Sequence, residues 1–504
     1  MAELEQLLAN PKELLKKKPF TRGSDSPTPI GPDGLSGTAE VGATVTAELP
    51  DFEREVISQS RYLAELDPAS HDVLFDENIP SITAKLKDGS YVDIKFQKMA
   101  IPFQKAILKK KVLHLCGNDI LFTLDNEKPS EDVVKDFATF KRYWKQRNQG
   151  GMRTKMVTAQ LSCGDAGLLY YFDRHGCIKS RLLSYQDGYV ICSHNDDNGD
   201  RLAEAVYYKS DDKEYIDVYT DLYQYRYVKS NGDDWKVDPT VNGKKHGFPE
   251  IPLVTKRGSV AWDDVETLIE VYEIIYNIFL VIQKRHGWGV LYIKGTFDQK
   301  AKKIAGNIIL NDSSLNHDGD AKFLAPPSPQ NMIETLKLME ESIQKGSGVT
   351  FILPKDISLS GDVSGVAVQI AQSLDNEEAL SAAIEWQNVA SKMARLFKYG
   401  LAKELVKKEK DKTAITRFDA MDISASFKIW RPRSDAEYNQ MLVQLKGAGV
   451  LSQQTAIEKN TESTPDESLR VEKETREAEE KAKADAALAA NEPAAAEDKN
   501  NPNE

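Results

Sequence analysis

The apolar positions between Trp262 and Val406 fall into runs of different period, and those runs organise the chain. Val265, Leu268, Ile269, Tyr272 and Ile275 recur at helical spacing, which predicts an amphipathic helix ending near His286. Its last turns, Ile274 to Ile282, are apolar on almost every side, so contact is expected with more than one neighbour, from the same chain or another copy. Glu273 stands ahead of that run and Asn277 inside it, and the run is far shorter than the roughly 20 residues a bilayer span needs. A second helix opens at Pro329, a residue suited to a first helical turn. It carries Met332, Ile333, Leu336, Met339 and Ile343 along one side and stops at Gly346-Ser347-Gly348. Between the two, Val290-Leu291-Tyr292-Ile293 and Asn307-Ile308-Ile309-Leu310 read as strands and residues 316–320 as a turn. The pattern is a pair of helices bearing a small α/β head. A Gly/Ser-rich connection follows over 346–365, long for a compact protein. The next helix is predicted from Val366 to Val406, packed through Ile370, Leu374, Leu380, Ile384, Val389, Met393, Leu396 and Phe397. Trp386 sits midway along it, and Gly400 is expected to end or kink it.

The flanking sequence has other patterns. Residues 1–50 read as a flexible arm: Leu4, Leu7, Leu8, Leu14 and Leu15 allow a short helix around Pro11, and Pro, Gly, Ser and Thr dominate afterwards. Residues 51–260 read as mixed α+β. Helices are predicted at Phe52–Leu66, Phe103–Cys116 and Ser130–Arg147, the last with Ser130 as N-cap and Glu131 and Asp132 in its first turn. A hairpin is expected within Ile82–Phe96, a strand after Gly117, and then a run of antiparallel strands with turns at 173–176, 196–200 and 211–213. Tyr219, Tyr223, Tyr225 and Tyr227 are assigned to one strand face, with Val218, Leu222 and Val228 opposite. Such a row can stack nucleotide bases, but in an acidic setting a half-buried sheet face is the better reading. Beyond Thr416 come a strand at Ile423–Trp430, helices from Ser434 onward, a charged Ala-rich helix over 467–490, and a polar acidic end at 491–504.

Composition narrows the function. The 504 residues, 40% hydrophobic and 29% charged, permit a sizeable core and roughly three domains. A net charge of −12 argues against a protein that wraps nucleic acid by neutralising phosphates, though not against a surface past which DNA slides. The four cysteines (Cys116, Cys163, Cys177, Cys192) lack zinc-site spacing and read as reduced, buried thiols. Met1 to Lys18 is charged throughout, so no signal peptide is expected, and no membrane partner either.

Catalytic patterns are missing. Gly287-Trp288-Gly289 lacks the third glycine of a dinucleotide loop, and no phosphate-binding Gly-x-x-x-x-Gly-Lys-Ser/Thr occurs. In Gly361-Asp362-Val363-Ser364-Gly365 the serine falls one position late for a nucleophile elbow. The seven histidines are scattered; a sheet could bring His175 and His194 together, but they read better as solvated. The acidic turns lack the terminal Glu of a calcium loop. No catalytic, metal or cofactor site is expected, and an enzyme is the weakest of the rival readings.

The order of these segments resembles the portal protein family of tailed bacteriophages, in particular the portals of long-tailed phages of Bacillus. The resemblance covers nearly all of the chain after about residue 50. Residues 111–123, Lys-Val-Leu-His-Leu-Cys-Gly-Asn-Asp-Ile-Leu-Phe-Thr, look like the family's helix-to-strand segment, with Asp119 where proline is common. Gly247-Phe248-Pro249-Glu250-Ile251-Pro252-Leu253-Val254 is similar to the Pro-hydrophobic-Pro strand before the family's first stem helix. Ser364-Gly365-Val366-Ala367 resembles the loop before its long helix. The resemblance implies an α+β portal fold. Its parts would be an arm (1–50), a wing (51–260), a first stem helix (261–286), a clip (287–328) and a second stem helix (329–346). A tunnel loop (347–365), a long wing helix and strand (366–433), a helical crown (434–490) and an acidic tail (491–504) would follow. It further implies a ring, dodecameric in the family, at one capsid vertex of the virion, assembled in the host cytoplasm. Implied partners are double-stranded DNA in the channel, the terminase large subunit, major capsid and scaffolding proteins, and a head–tail connector or adaptor.

Physical reasoning then points to residues. A ring needs head-to-tail interfaces that close, so Val265, Leu268, Ile269, Tyr272, Ile275, Met332, Leu336 and Met339 are the expected stem packing or subunit contacts. The loop holds one basic residue, Lys355, beside Asp356 and Asp362; with Thr350, Ser358, Ser360 and Ser364 it is expected to face DNA. The main rival is another ring-forming virion component, an adaptor or connector, usually shorter and without this order of elements.

Overall fold

The computed structural model describes residues 2–15, 51–79, 82–85, 91–94, 97–230, 234–286, 290–294, 302–304, 307–309, 320–324, 329–351, 372–409, 411–431, 435–460, 470–471, 473–478 and 480. The chain forms two compact units, one of 1–351 with 373–430, the other of 352–372 with 431–504.

In the first unit, α1 (Ala2–Ala9) and a 3-10 turn (Glu13–Leu15) precede α2 (Asp51–Leu66). An antiparallel hairpin follows, β1 (Ile82–Lys85) on β2 (Tyr91–Ile94). Helix α3 (Phe103–Cys116) leads through Gly117 to β3 (Leu121–Leu124). Helix α4 (Glu131–Gln146) starts where Ser130 Oγ accepts from the Val133 amide. Helix α5 (Gln149–Cys163) begins at a left-handed Asn148 whose Oδ1 accepts from the Gly151 amide. No helix was predicted here. Two glycines open it, and Arg153, Gln160 and Ser162 lie on its buried side, so no apolar period marks the core-facing surface.

Two sheets stand on this helical base. One has the order β12 (Leu253–Arg257), β4 (Asp165–Phe172), β5 (Ile178–Leu183). The other is a meander of β6 (Tyr189–Asn195), β7 (Arg201–Ser210), β8 (Lys213–Tyr219) and β9 (Tyr223–Ser230), with the short β10 (Lys236–Val237) and β11 (Lys244–Lys245) both on β9. Asp211 and Asp212 both hold positive φ, 49° and 59°, as a two-residue primed turn between β7 and β8 requires.

Helices α6 (Glu266–His286) and α7 (Gln330–Ser347) pack on each other. The head between them contains the antiparallel pairs β13 (Val290–Lys294) with β16 (Asp320–Leu324) and β14 (Lys302–Ile304) with β15 (Asn307–Ile309). Helix α8 (Ser373–Glu409) crosses the main core, where Trp386, Met393, Leu396, Phe397 and Leu401 meet Phe140, Met156, Leu168 and Ile178. Helix α9 (Ala414–Asp419) and β17 (Ile423–Ser426), paired with β3, close that core. In the second unit α10 (Asp435–Gly447) packs with α11 (Gln453–Lys459).

Four expectations need correction. Helix α8 does not end at Gly400 but runs on to Glu409: a Cβ there would overlap Ile178 Cδ1, so the glycine serves the close approach of α8 to β5. Leu374, Leu380 and Ile384 do not pack into the core; its N-terminal half is buried through Ala379, Ala383 and Trp386 instead. Residues 2–15 are not a loose arm. Leu14 is fully buried against Ile216, Val218 and Tyr227, with Leu4, Leu7, Leu8 and Leu15 around it. Tyr227 Oη donates to the Leu8 carbonyl at 2.6 Å, and His194 Nε2 lies 2.8 Å from the Leu14 carbonyl oxygen. His194 is thus half-buried and does not meet His175, which is exposed. Finally, Tyr219 does not share the face of Tyr223, Tyr225 and Tyr227, which alternate along β9. Val218 pairs directly with Tyr225, so those two point the same way, under the N-terminal segment, while Tyr219 lies in a different cluster with Ile191 and Leu253.

Candidate functional site

Two places in the first unit concentrate polar chemistry: the root of the long loop after α7, and the junction of α6 with the body.

At the loop root, α7 ends on Gly348, which has φ +65°. A Cβ there would lie 3.0 Å from Glu378 Cγ on α8, so a glycine suits both the backbone and the space. Gln344 then holds the exit: its carbonyl accepts from the Val349 amide at 3.2 Å and its Oε1 from the Phe351 amide at 2.9 Å. Thr350 is gripped on both sides of its backbone. Its amide donates to Asp375 Oδ1 at 2.6 Å, and its carbonyl accepts from Lys110 Nζ of α3. Asp375, at the start of α8, is buried and pairs through Oδ2 with Lys110 Nζ at 2.7 Å. His114 Nε2 lies 3.7 Å from the same oxygen, while its Nδ1 is 3.1 Å from the Trp430 carbonyl. Burial lowers the pKa of His114 despite Asp375, so the ring is neutral at pH 7. Lys111 with Glu378 (3.2 Å) and Lys256 with Glu385 (2.8 Å) strap the first turns of α8 to α3 and β12.

At the second place, α6 turns Glu273 and Asn277 inward. Glu273 Oε1 accepts from the Ile101 amide at 2.6 Å and lies 2.8 Å from His71 Nδ1. Asn277 exchanges hydrogen bonds with the backbone of Met99, both at 2.8 Å, and donates to the Glu273 carbonyl at 2.8 Å. His71 Nε2 is 2.7 Å from the Glu65 carbonyl oxygen, so both ring nitrogens face acceptors, the arrangement of a protonated imidazole. Burial opposes that charge, but the hydrogen bond and charge of Glu273 outweigh it and raise the His71 pKa. Glu65 accepts from Trp262 Nε1 at 2.7 Å, and Arg61 lies 3.0 Å from both Glu65 and Glu266. Burial pushes the Glu65 carboxyl up to about 7, and Glu266 adds to the rise.

The predicted stem residues are distributed unevenly. Val265, Ile269, Tyr272 and Leu336 are buried in one cluster with Phe103, Ile107 and Trp262, and Leu268, Ile275 and Met339 pack against it. These side chains join α6, α7 and α3 within one chain. Met332 is half-buried. The apolar side chains left open are others: Val271 (41% exposed), Leu338 (63%), Leu380 (53%) and Ile384 (69%). Of the residues expected to face DNA, Thr350 belongs to the loop root, and Lys355, Asp356, Ser358, Ser360, Asp362 and Ser364 lie outside the described residues. The polar lock of His71, Glu273 and Asn277 was missed. Its one trace in the sequence is a Glu and an Asn four positions apart in an otherwise apolar helix. Among the described residues no helix is long and apolar enough to cross a membrane.

A family model described as phage portal protein, SPP1 Gp6-like, matches residues 61–482. No curated protein sequence matches the chain. Among solved structures, a chain from the neck of an empty GTA particle, computed with C6 symmetry, is similar at a TM-score of 0.38 and 11% identity, over 69% of this chain and 87% of that one. The family match runs from α2 through both paired helices, the head and α8 into the C-terminal unit, and the chain therefore belongs to the SPP1 Gp6-like family of phage portal proteins.

Proposed function

We propose that this portal protein forms a dodecameric ring at one capsid vertex, through which double-stranded DNA is packaged, retained and ejected, with the terminase large subunit and later a head–tail connector docking on it. The family match over residues 61–482 carries this reading. Residues 51–260 with α8 then serve as the wing, α6 and α7 as the stem, 287–328 as the clip, 347–365 as the tunnel loop and 434–490 as the crown. The ring contacts fall on the side chains the isolated chain leaves open, Val271, Leu338, Leu380 and Ile384, because a closed ring must cover them. Capsid and scaffolding proteins surround the ring. No chemistry of bond-making is assigned to it; ATP hydrolysis belongs to the terminase. The excess of acids, net −12, supports a channel wall that does not hold phosphates. The loops carry Lys355, Asp356, Ser358, Ser360, Asp362 and Ser364 to the narrowest point.

Averaged electron micrographs of the purified chain test this reading. Expected are end-on rings with a central hole wide enough for a duplex, and co-sedimentation of those rings with the terminase. A solitary compact particle at all concentrations overturns it.

A further inference from the structure

The face of the meander that turns away from Leu14 carries a cross-strand row of three tyrosines. Tyr189 of β6 stands opposite Tyr208 of β7, and Tyr208 opposite Tyr215 of β8. Their rings lie 5.4 and 5.1 Å apart, the second pair stacked. A guanidinium stands at each end, Arg181 4.9 Å from the Tyr189 ring and Arg226 6.0 Å from the Tyr215 ring. The row borders an open cleft of about 800 Å³, which residues of β4, β5 and β11 line as well. Charge sets this cleft apart. Arg226 is spent on Asp217 at 2.6 Å and Lys209 on Glu214 at 3.2 Å. Arg181, Lys244 and Lys245 also line it, and among the described residues they make no ion pair. Against these three stands one unpaired carboxylate, Asp187, which accepts from Ser184 Oγ at 2.8 Å. A chain of net charge −12 thus presents a basic, aromatic groove.

Such a groove suits an extended, acidic, proline-bearing segment, because proline rings pack on aromatic side chains and carboxylates meet the free cations. The chain itself contains one. Ser24-Asp25-Ser26-Pro27-Thr28-Pro29-Ile30-Gly31-Pro32-Asp33-Gly34 holds three prolines, two of them as Pro-x-x-Pro, between two aspartates, with no basic residue. It belongs to residues 16–50, which lie outside the described residues, but both neighbours of that stretch are placed in the first unit. Leu15 packs on the opposite face of the same meander, and Asp51 opens α2. The tether is long enough. His194, beside Leu14, is five positions along β6 from Tyr189, about 17 Å, and crossing to the other face adds about 10 Å. The stretch from Lys16 to Ser24 can span up to ~30 Å. Held this close, the segment faces the cleft at an effective concentration of about millimolar, ahead of any free anion of like chemistry.

We propose that residues 24–34 dock in this cleft of their own chain, with the prolines against the tyrosine row and Asp25 and Asp33 toward Arg181 and the Lys244–Lys245 pair. The N-terminal part of the chain then clasps the meander from both sides, Leu14 on one face and the proline segment on the other. Nothing in this arrangement requires the ring.

The test uses the full chain, a cleft variant R181E/K244E/K245E, and an arm variant combining D25N/D33N with P27A/P29A/P32A. The cleft changes fall on exposed side chains and the arm changes outside the described body, so circular dichroism matching wild type is expected for both. Trypsin cleaves after Arg22, beside the docked segment. Cleavage there is expected to be about tenfold faster in either variant than in wild type, because it follows the undocked fraction. A fluorescein-labelled peptide of residues 22–35 is the second probe. By anisotropy it is expected to bind a chain lacking 22–35, to bind full-length wild type more weakly because the cleft is occupied, and not to bind the deletion that also carries R181E/K244E/K245E. Equal cleavage after Arg22 in all three full-length proteins overturns the proposal, and so does a peptide that fails to bind the deletion. An oligothymidine of about ten nucleotides that binds the deletion in preference to the peptide overturns it in favour of a nucleic-acid strand. Protection of Arg22 that appears only as the chain assembles overturns it in favour of arms exchanged between copies.

Discussion

The amide of Thr350 donates to the carboxylate of Asp375 at 2.6 Å, across 25 positions of sequence. The two ends of the long loop are thereby fastened to one another and, through Lys110, to α3. The cost of closing a loop grows slowly with its length, so the anchoring matters more to stability than the residues between. The body carries the fastening.

Removing the fastening should be expensive. Asp375 is buried and Lys110 mostly so. Asp375→Ala strands the Lys110 ammonium and the Thr350 amide, with an expected loss of about 3 kcal/mol. Lys110→Met alone leaves the carboxylate unpaired and should cost a similar amount. The double variant should be less unstable than the sum. Chemical denaturation of the four proteins measures the coupling, and strict additivity would show that the pair does not interact.

The α6 junction should weaken as pH rises. The Glu65 carboxyl is raised from 4.5 to about 7, so the folded chain binds the extra proton between those values. Stability from this group is then complete below pH 4.5 and is lost as pH climbs through 7. The raised His71 acts in the same direction: its pairing with Glu273 is fully present below about 6.5 and fades as pH passes its folded value. Glu65→Gln fixes the neutral form and keeps an acceptor for Trp262. Its advantage over wild type should grow between pH 5 and pH 8, reaching about 2 kcal/mol. Thermal melts across that range check it; parallel curves would be inconsistent with a shifted Glu65.

Gly400 gives a sharper packing test. Alanine ordinarily favours a helix interior by about 1 kcal/mol over glycine, yet here its Cβ overlaps Ile178 Cδ1. Overpacking of this kind typically costs about 1–3 kcal/mol, so Gly400→Ala should lower the melting temperature. In an Ile178→Ala background the obstruction is gone, and the same change should become neutral or stabilising. If Gly400→Ala raises the melting temperature in the wild-type background, α8 and β5 are not in the contact described.

These cases also mark how far the sequence reaches. Regular periods and caps were legible: α3 and the Ser130 cap of α4 stand where predicted, and the hairpin at β1–β2 does as well. What failed were positions where long-range packing decides. Gly400 read as a stop because nothing local reveals Ile178 across the core. Leu380 and Ile384 read as core because a hydrophobic residue on a helix carries no label for which neighbour covers it. Helix α5 was invisible because Arg153 is buried by donating to the Cys116 and Asn118 carbonyls, an arrangement that tertiary structure alone creates. Glu273 and Asn277 had the same disguise.

The N-terminal segment should prove part of the β-meander. Leu14 is fully buried, so Leu14→Ala should release residues 2–15 at a cost of about 2–4 kcal/mol. The family match starts only at residue 61, so ring formation should survive the change. Hydrogen exchange would locate the effect: faster exchange confined to residues 2–15 and to the β6–β9 face is expected, and unchanged exchange would contradict the packing.

The loop itself should tolerate shortening. Its ends are held by Gln344, Thr350, Asp375 and Lys110, none of which lies between residues 353 and 365. Deleting residues 356–363 therefore spares the contacts described at the root, which fasten both ends. Subunits with this deletion should melt like wild type and form rings of the same size. If the loops govern DNA in the channel, packaging or retention of the genome should fall while assembly does not change. Replacing Lys355 by Ala in the full-length loop should give a milder defect of the same kind, since one cation per subunit is lost but the small polar residues remain. Measuring packaged DNA protected from nuclease separates the outcomes: full protection with the shortened loop would mean that the loop does not touch the genome, whatever the ring does.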